Sequence, residues 1–276
     1  MAIASVWFAV WAAMAMPVLA QNAQPPKLSP ELHPWGKFEP GAWKRIHVVT
    51  EIFGEQDVVA TTNLSDSKIT LFDIDEDSLT LETQVCVEIA GKKFDSDPQL
   101  VKQGFHGETL SPNLKLVDSA AGQLEVEDRK IPCQVLKLES SNGTSKTSTT
   151  IYFSATVAPN ILKRESKTTD AEGKNVLSET TATLVSLDMP YQIQGQIRMV
   201  SHLKTVQKSP KGMVVTLAVL SPEIPGGIIT LSSKEHDANG RLVRRSTQEL
   251  IDFGSEPEKE RSGLFGRKRN KSHRSH

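Results

Sequence analysis

Hydrophobic and polar residues alternate with a period of two through most of this chain, and that spacing predicts β-strands rather than helices. The clearest case runs from Leu79 to Ile89. Leu79, Leu81, Thr83, Val85, Val87 and Ile89 share one side, while Thr80, Glu82, Gln84, Cys86 and Glu88 share the other. Such a strand buries one face of a sheet. Further strands are expected over 43–53, 58–64, 68–74, 115–117, 123–126, 131–139, 147–154, 161–168 and 176–187. Turns are expected at Gly54-Glu55-Gln56-Asp57, Asp75-Glu76-Asp77 and Asp170-Ala171-Glu172-Gly173. Asn142-Gly143 has the pattern of a type I′ hairpin turn. Only residues 97–104 read as a short helix. The pattern predicts a mainly β, antiparallel fold with very little helix: a strongly curved open sheet or half-barrel of short strands, with a sandwich or barrel as the related architectures.

Residues 133–186 align without a gap on residues 200–253, 67 positions later. Leu136-Lys137 falls on Leu203-Lys204, Ser154 on Ser221, Ser166-Lys167 on Ser233-Lys234, and the turn 170–174 on 237–241. About a dozen identities lie in register, the turn glycine among them. This predicts an internal duplication of a four-strand meander. Each copy alone would leave an exposed edge, so the two are expected side by side in one sheet.

Both ends of the chain differ from this body. Residues 1–20 carry no charge, are almost wholly apolar from Ile3 to Met16, and close on Pro17-Val18-Leu19-Ala20. That is the pattern of a secretory signal peptide cleaved after Ala20, although no Lys or Arg precedes the apolar run. The alternative is an uncleaved anchor helix, which Pro17 would break. Residues 21–40 are rich in Pro and polar residues and read as a linker, leaving 41–254 as the β-rich domain. Residues 255–276 read as a disordered basic tail. Export implies a periplasmic or secreted location and an oxidising environment, in which Cys86 and Cys133 are candidates for one disulfide. Two buried thiols are the alternative.

Composition narrows function by exclusion. The net charge of −1 gives no general attraction to nucleic acid, and no specific nucleic acid recognition is expected. The tail, with seven Lys or Arg against three Glu over residues 256–276, is the one segment suited to an anionic surface. His106-Gly107-Glu108 followed by Pro132-Cys133 approaches the zinc site of nucleoside deaminases. Leu136 stands where that site needs its last cysteine. Asp95, Asp97, His106 and Glu108 form a polar cluster without the spacing of a calcium loop. No catalytic, cofactor-binding or metal-binding set is assigned, and no cofactor is expected.

His33-Pro34-Trp35-Gly36, Gly41-Ala42-Trp43-Lys44-Arg45, Gly104-Phe105-His106-Gly107-Glu108 and Ile224-Pro225-Gly226-Gly227-Ile228 resemble segments of a family of exported bacterial β-proteins with no assigned activity. The likeness spans most of residues 33–254 and implies export without a mechanism. A looser likeness, of architecture alone, is to periplasmic lipoprotein carriers, whose open half-barrels enclose an acyl chain. The sequence is therefore read as an exported, non-enzymatic structural or partner-binding protein, with an apolar ligand or protein partner on its sheet face. The alternatives are a periplasmic carrier of a lipid-like ligand in a concave sheet, and a hydrolase with an unrecognised site.

Overall fold

The computed structural model describes residue 30 and residues 33–76, 78–89, 91–105 and 115–257. The expected signal peptide, most of the linker, nearly all of the basic tail, and His106 and Glu108 lie outside the described residues.

Fourteen strands follow one another: β1 (Trp43–Phe53), β2 (Val59–Ile74), β3 (Ser78–Ile89), β4 (Lys92–Asp95), β5 (Gln99–Gly104), β6 (Lys115–Val126), β7 (Arg129–Ser141), β8 (Ser145–Phe153), β9 (Ile161–Asp170), β10 (Val176–Ile193), β11 (Gln196–Ser209), β12 (Gly212–Leu220), β13 (Ile228–Asp237) and β14 (Leu242–Gly254). They form one open antiparallel sheet in the order β4-β3-β2-β1-β14-β13-β12-β11-β10-β9-β8-β7-β6, with β5 beside β4 on the same edge of β3. From β6 to β14 the sheet is an uninterrupted meander. The last strand then pairs with the first, so both ends of the domain meet mid-sheet.

The sheet is curved enough to bring distant strands together. One buried cluster joins Leu71, Leu79 and Leu81 of β2 and β3 to Leu136, Leu138, Ile151 and Phe153 of β7 and β8. Those strands stand near opposite ends of the pairing order. Burying an apolar face of a single-layered sheet requires something on its concave side. Here the sheet supplies part of that cover by curling on itself, and Trp35 and Phe105 supply more.

The 67-residue offset reappears in the strand limits. Shifted by 67, β8 and β9 coincide with β12 and β13, and β7 and β10 overlap β11 and β14. The loops correspond in their bonding. Ser154 N donates to Asn160 O at 2.8 Å, and Ser221 N to Gly227 O at 2.7 Å. Gly173 N donates to Asp170 O, and Gly240 N to Asp237 O, both at 3.0 Å.

Several local expectations are corrected. The helix expected over 97–104 is instead β5, whose backbone pairs with β3 from Ser78 to Thr83. Leu100 and Val101 are both exposed on this edge strand, so no period of two marks it. The runs 58–64 and 68–74 merge into β2, because Ser65-Asp66-Ser67 pairs with strands on both sides. Asn142-Gly143 does not form a type I′ turn. Gly143 alone has positive φ, and Asn142 Oδ1 organises the loop by accepting from Thr144 N and Ser145 N at 3.2 and 2.9 Å. Residues 33–40, expected within an extended linker, form hydrogen-bonded turns: His33 N to Pro30 O, Gly36 N to His33 O, and Phe38 N to Trp35 O. His33 and Trp35 are buried there. This segment is a plug.

Candidate functional site

The plug sits against two corresponding loops, 154–160 and 221–227. Pro34 O accepts from Gly226 N at 3.3 Å, and Trp35 N donates to His33 Nδ1 at 3.2 Å. Gly226 has φ +71°. A Cβ there would stand 2.5 Å from Trp35 Nε1 and 2.9 Å from Lys44 Nζ, so only glycine lets the plug lie this close.

Between plug and sheet is a cavity of about 290 Å³. The plug contributes His33, Pro34 and Lys37, and Phe105 follows β5. The sheet contributes Phe153, Ile161, Arg164, Ala182, Leu203, Leu220 and Ile228, and the two loops close the remaining sides. The wall is mostly apolar, and among the described residues no Asp or Glu lines it. A more open cleft of about 530 Å³ lies alongside and shares Lys37, Ala158 and Asn160 with the cavity. On the opposite face of the sheet is a separate depression of about 250 Å³, bordered by Val49, Leu217 and the ion pair of Arg245 with Glu51.

Strand register shows how the cavity floor is made. Residues directly paired across antiparallel strands share a face. Ile151 pairs with Arg164, Arg164 with Ala182, Ala182 with Thr205, Thr205 with Thr216, Thr216 with Ser233, Ser233 with Ser246, and Ser246 with Thr50. This row crosses the inner face. Toward the plug it is followed by Leu203, Ala218 and Leu231, which pair in turn. The inner face is thus apolar near the plug and hydroxyl-bearing further out.

Lys44 on β1 projects to the same face as Ile69, its partner on β2, which packs against the main core cluster. It is only 4% exposed, and its ammonium lies 5.5 Å from the centre of the Trp35 ring. Burial pushes its pKa down to about 8.

The residues singled out from sequence lie elsewhere. Asp95 ends β4 and faces Cys86 across the β3–β4 pair, and Asp97 is exposed in the following connection. The short helix around which they were expected to gather is strand. Cys86 and Cys133 are free, buried thiols on β3 and β7. Each alternates with the leucines by which its strand joins the main core: Cys86 against Leu79 and Leu81, Cys133 against Leu136 and Leu138. The two side chains therefore do not meet across that core. Asp95, by hydrogen bonding, and then burial push the Cys86 thiol up, and burial does the same to Cys133. Among the described residues, no group of three or more His, Cys, Asp or Glu could hold a metal ion.

No family model matches the chain, and no curated protein matches it. Solved structures similar to it include two from bacteria. A protein of Bacteroides fragilis assigned as exported, with a YmcC-like fold, is 9% identical over 79% of this chain and 97% of its own, with a TM-score of 0.33. A protein of Thermobifida fusca assigned as a thioesterase II is 10% identical over 75% of this chain and 80% of its own, with a TM-score of 0.14. Among the described residues, no helix is long and apolar enough to cross a membrane.

Proposed function

We propose that this is an exported, non-catalytic binding protein that holds a small apolar ligand beneath its N-terminal plug. The observation carrying this reading is the cavity of about 290 Å³ between the plug and the concave face of the sheet. Concave, mostly apolar pockets with a few polar groups at the wall are characteristic of ligand sites, and this one has that make-up. Its volume sits at the small end of the range for such sites, which suits one chain or one small apolar group. Export is supported by the apolar, uncharged residues 1–20 and the small residues before the expected cleavage point. The 67-residue correspondence of strands and loops fits an internal duplication, which would place two related loops around one cavity.

The reading is tested with an apolar dye, 1-N-phenylnaphthylamine, titrated into the protein and into Ala182→Trp. Ala182 lines the cavity, and an indole there fills it. The expected result is saturable binding that weakens at least about tenfold in the variant, with the thermal transition retained. Absence of binding, or binding indifferent to the substitution, would overturn the proposal.

A further inference from the structure

Resting on that reading of the cavity, we infer that its occupant is a single-chain amphiphile with an uncharged, hydroxyl-rich head. The chain fills the cavity, and the head lies in the adjoining cleft, between residues 36–39 of the plug and the loop 154–160. Three observations carry this.

The first is adjacency. The cavity of about 290 Å³ and the cleft of about 530 Å³ meet along Lys37, Ala158 and Asn160. The cavity wall is mostly apolar, whereas the more open cleft carries Lys37, Glu39, Thr156 and Asn160. A molecule spanning both keeps its hydrocarbon out of water and its polar end within reach of hydrogen-bonding groups.

The second is an asymmetry between the two corresponding loops. They are built alike: Thr156 N donates to Ser154 Oγ at 3.5 Å, and Glu223 N to Ser221 Oγ at 3.3 Å. Both serines are buried. The loop 221–227 is covered by protein. Ile224 and Pro225 are fully buried, Gly226 lies against Trp35, and Glu223 is ion-paired with Arg198. In the loop 154–160 the matching Val157, Ala158 and Pro159 are only half-buried, and Ala155 and Thr156 are exposed. What the plug and its surroundings fill at one loop is open cleft at the other, and a headgroup takes that place.

The third is charge. Lys37 and Glu39 both border the cleft, so a head of either net charge is attracted by one and repelled by the other. The lysine only donates hydrogen bonds, the carboxylate only accepts them, and the Asn160 amide does both. Hydroxyl groups donate and accept, and so suit all three without carrying charge.

The test titrates delipidated full-length protein calorimetrically with octyl β-glucoside, 1-octanol and octanoate, in wild type, Ala155→Trp and Glu39→Ala. Ala155 is exposed and borders the cleft but not the cavity, so an indole there obstructs the head and spares the site of the chain. Wild type should bind the glucoside about tenfold more tightly than the alcohol, and octanoate no more tightly than the alcohol. Ala155→Trp should bring the glucoside down to the affinity of the alcohol, whose own binding stays as in wild type. Glu39→Ala should lose part of the preference, and it supplies the readout if the bulkier variant fails to fold. Equal binding of glucoside and alcohol by wild type, a preference for octanoate, or a glucoside preference that survives both substitutions overturns the inference alone. Loss of alcohol binding in Ala155→Trp to the same extent as glucoside binding overturns the placing of the head. Binding of none of the three ligands overturns the cavity reading and this inference with it.

Discussion

Lys44 is the residue at which burial and charge oppose each other most directly. Its pKa falls from 10.5 to about 8, a shift equivalent to about 3 kcal/mol of penalty on the charged form. The Trp35 ring returns about 1 kcal/mol through its cation–π contact. Lys44→Met should therefore stabilise the protein by about 2 kcal/mol at neutral pH, measured by urea unfolding. The pH dependence has a definite sign. Between about 8 and 10.5 the unfolded chain holds a proton that the native amine has released, so wild-type stability should rise with pH across that window. Lys44→Met should flatten that rise, and an unchanged slope would count against the burial described for this amine. Gly226 and Gly240 offer a second comparison. Both have positive φ, but a Cβ at 240 meets nothing within 4 Å, whereas one at 226 strikes the Trp35 ring. Gly240→Ala should cost only the left-handed backbone term of about 1 kcal/mol. Gly226→Ala should cost more and shift tryptophan emission to the red as the plug is displaced. At this scale the sequence was least informative. Arg164 and Lys44 are charged residues in strand-like runs, and which face they take depends on register, here including a bulge between Tyr152 and Phe153.

Among the elements, the plug is the one on which the proposed site most depends, and its proline content disguised it. Pro30, Pro34 and Pro40 read as an extended linker, yet the same residues suit tight turns, and Trp35 anchors them in the core. Trp35→Ala should remove about 3 kcal/mol of stability and release a bound apolar dye faster, as followed by stopped-flow fluorescence. Unchanged release would mean that the plug does not cover the site. The strands themselves were legible: β1 has the expected limits and β3 begins one residue earlier than expected, although adjacent Trp43 and Lys44 are both buried and Cys86 is buried on the face opposite Leu79 and Leu81. The interior of β2 was not. Its polar stretch is held by cross-strand partners, such as His47 Nδ1 with Asp66 Oδ1 at 2.6 Å, that no local pattern reveals. The edge strand β5 was misread for the related reason that its partner, not its own composition, makes it a strand.

At the scale of the whole molecule, the alternation foretold one curved sheet, and the limits of β8 and β9 recur 67 residues on in β12 and β13. The pairing of β14 with β1, and the curling that brings β3 against β7, depend on contacts between distant parts of the chain and left no local trace. The cavity is local by comparison, with walls from the plug, Phe105, the strands from β8 to β13 and the two loops 154–160 and 221–227. The central claim is that this interior is built to be occupied. Native mass spectrometry of the protein purified without detergent, followed by solvent extraction, tests it most directly. The expected result is a mass above that of the chain alone, with one apolar molecule released per protein on denaturation. A chain mass without adduct, together with failure to take up such a molecule when it is supplied, would contradict it.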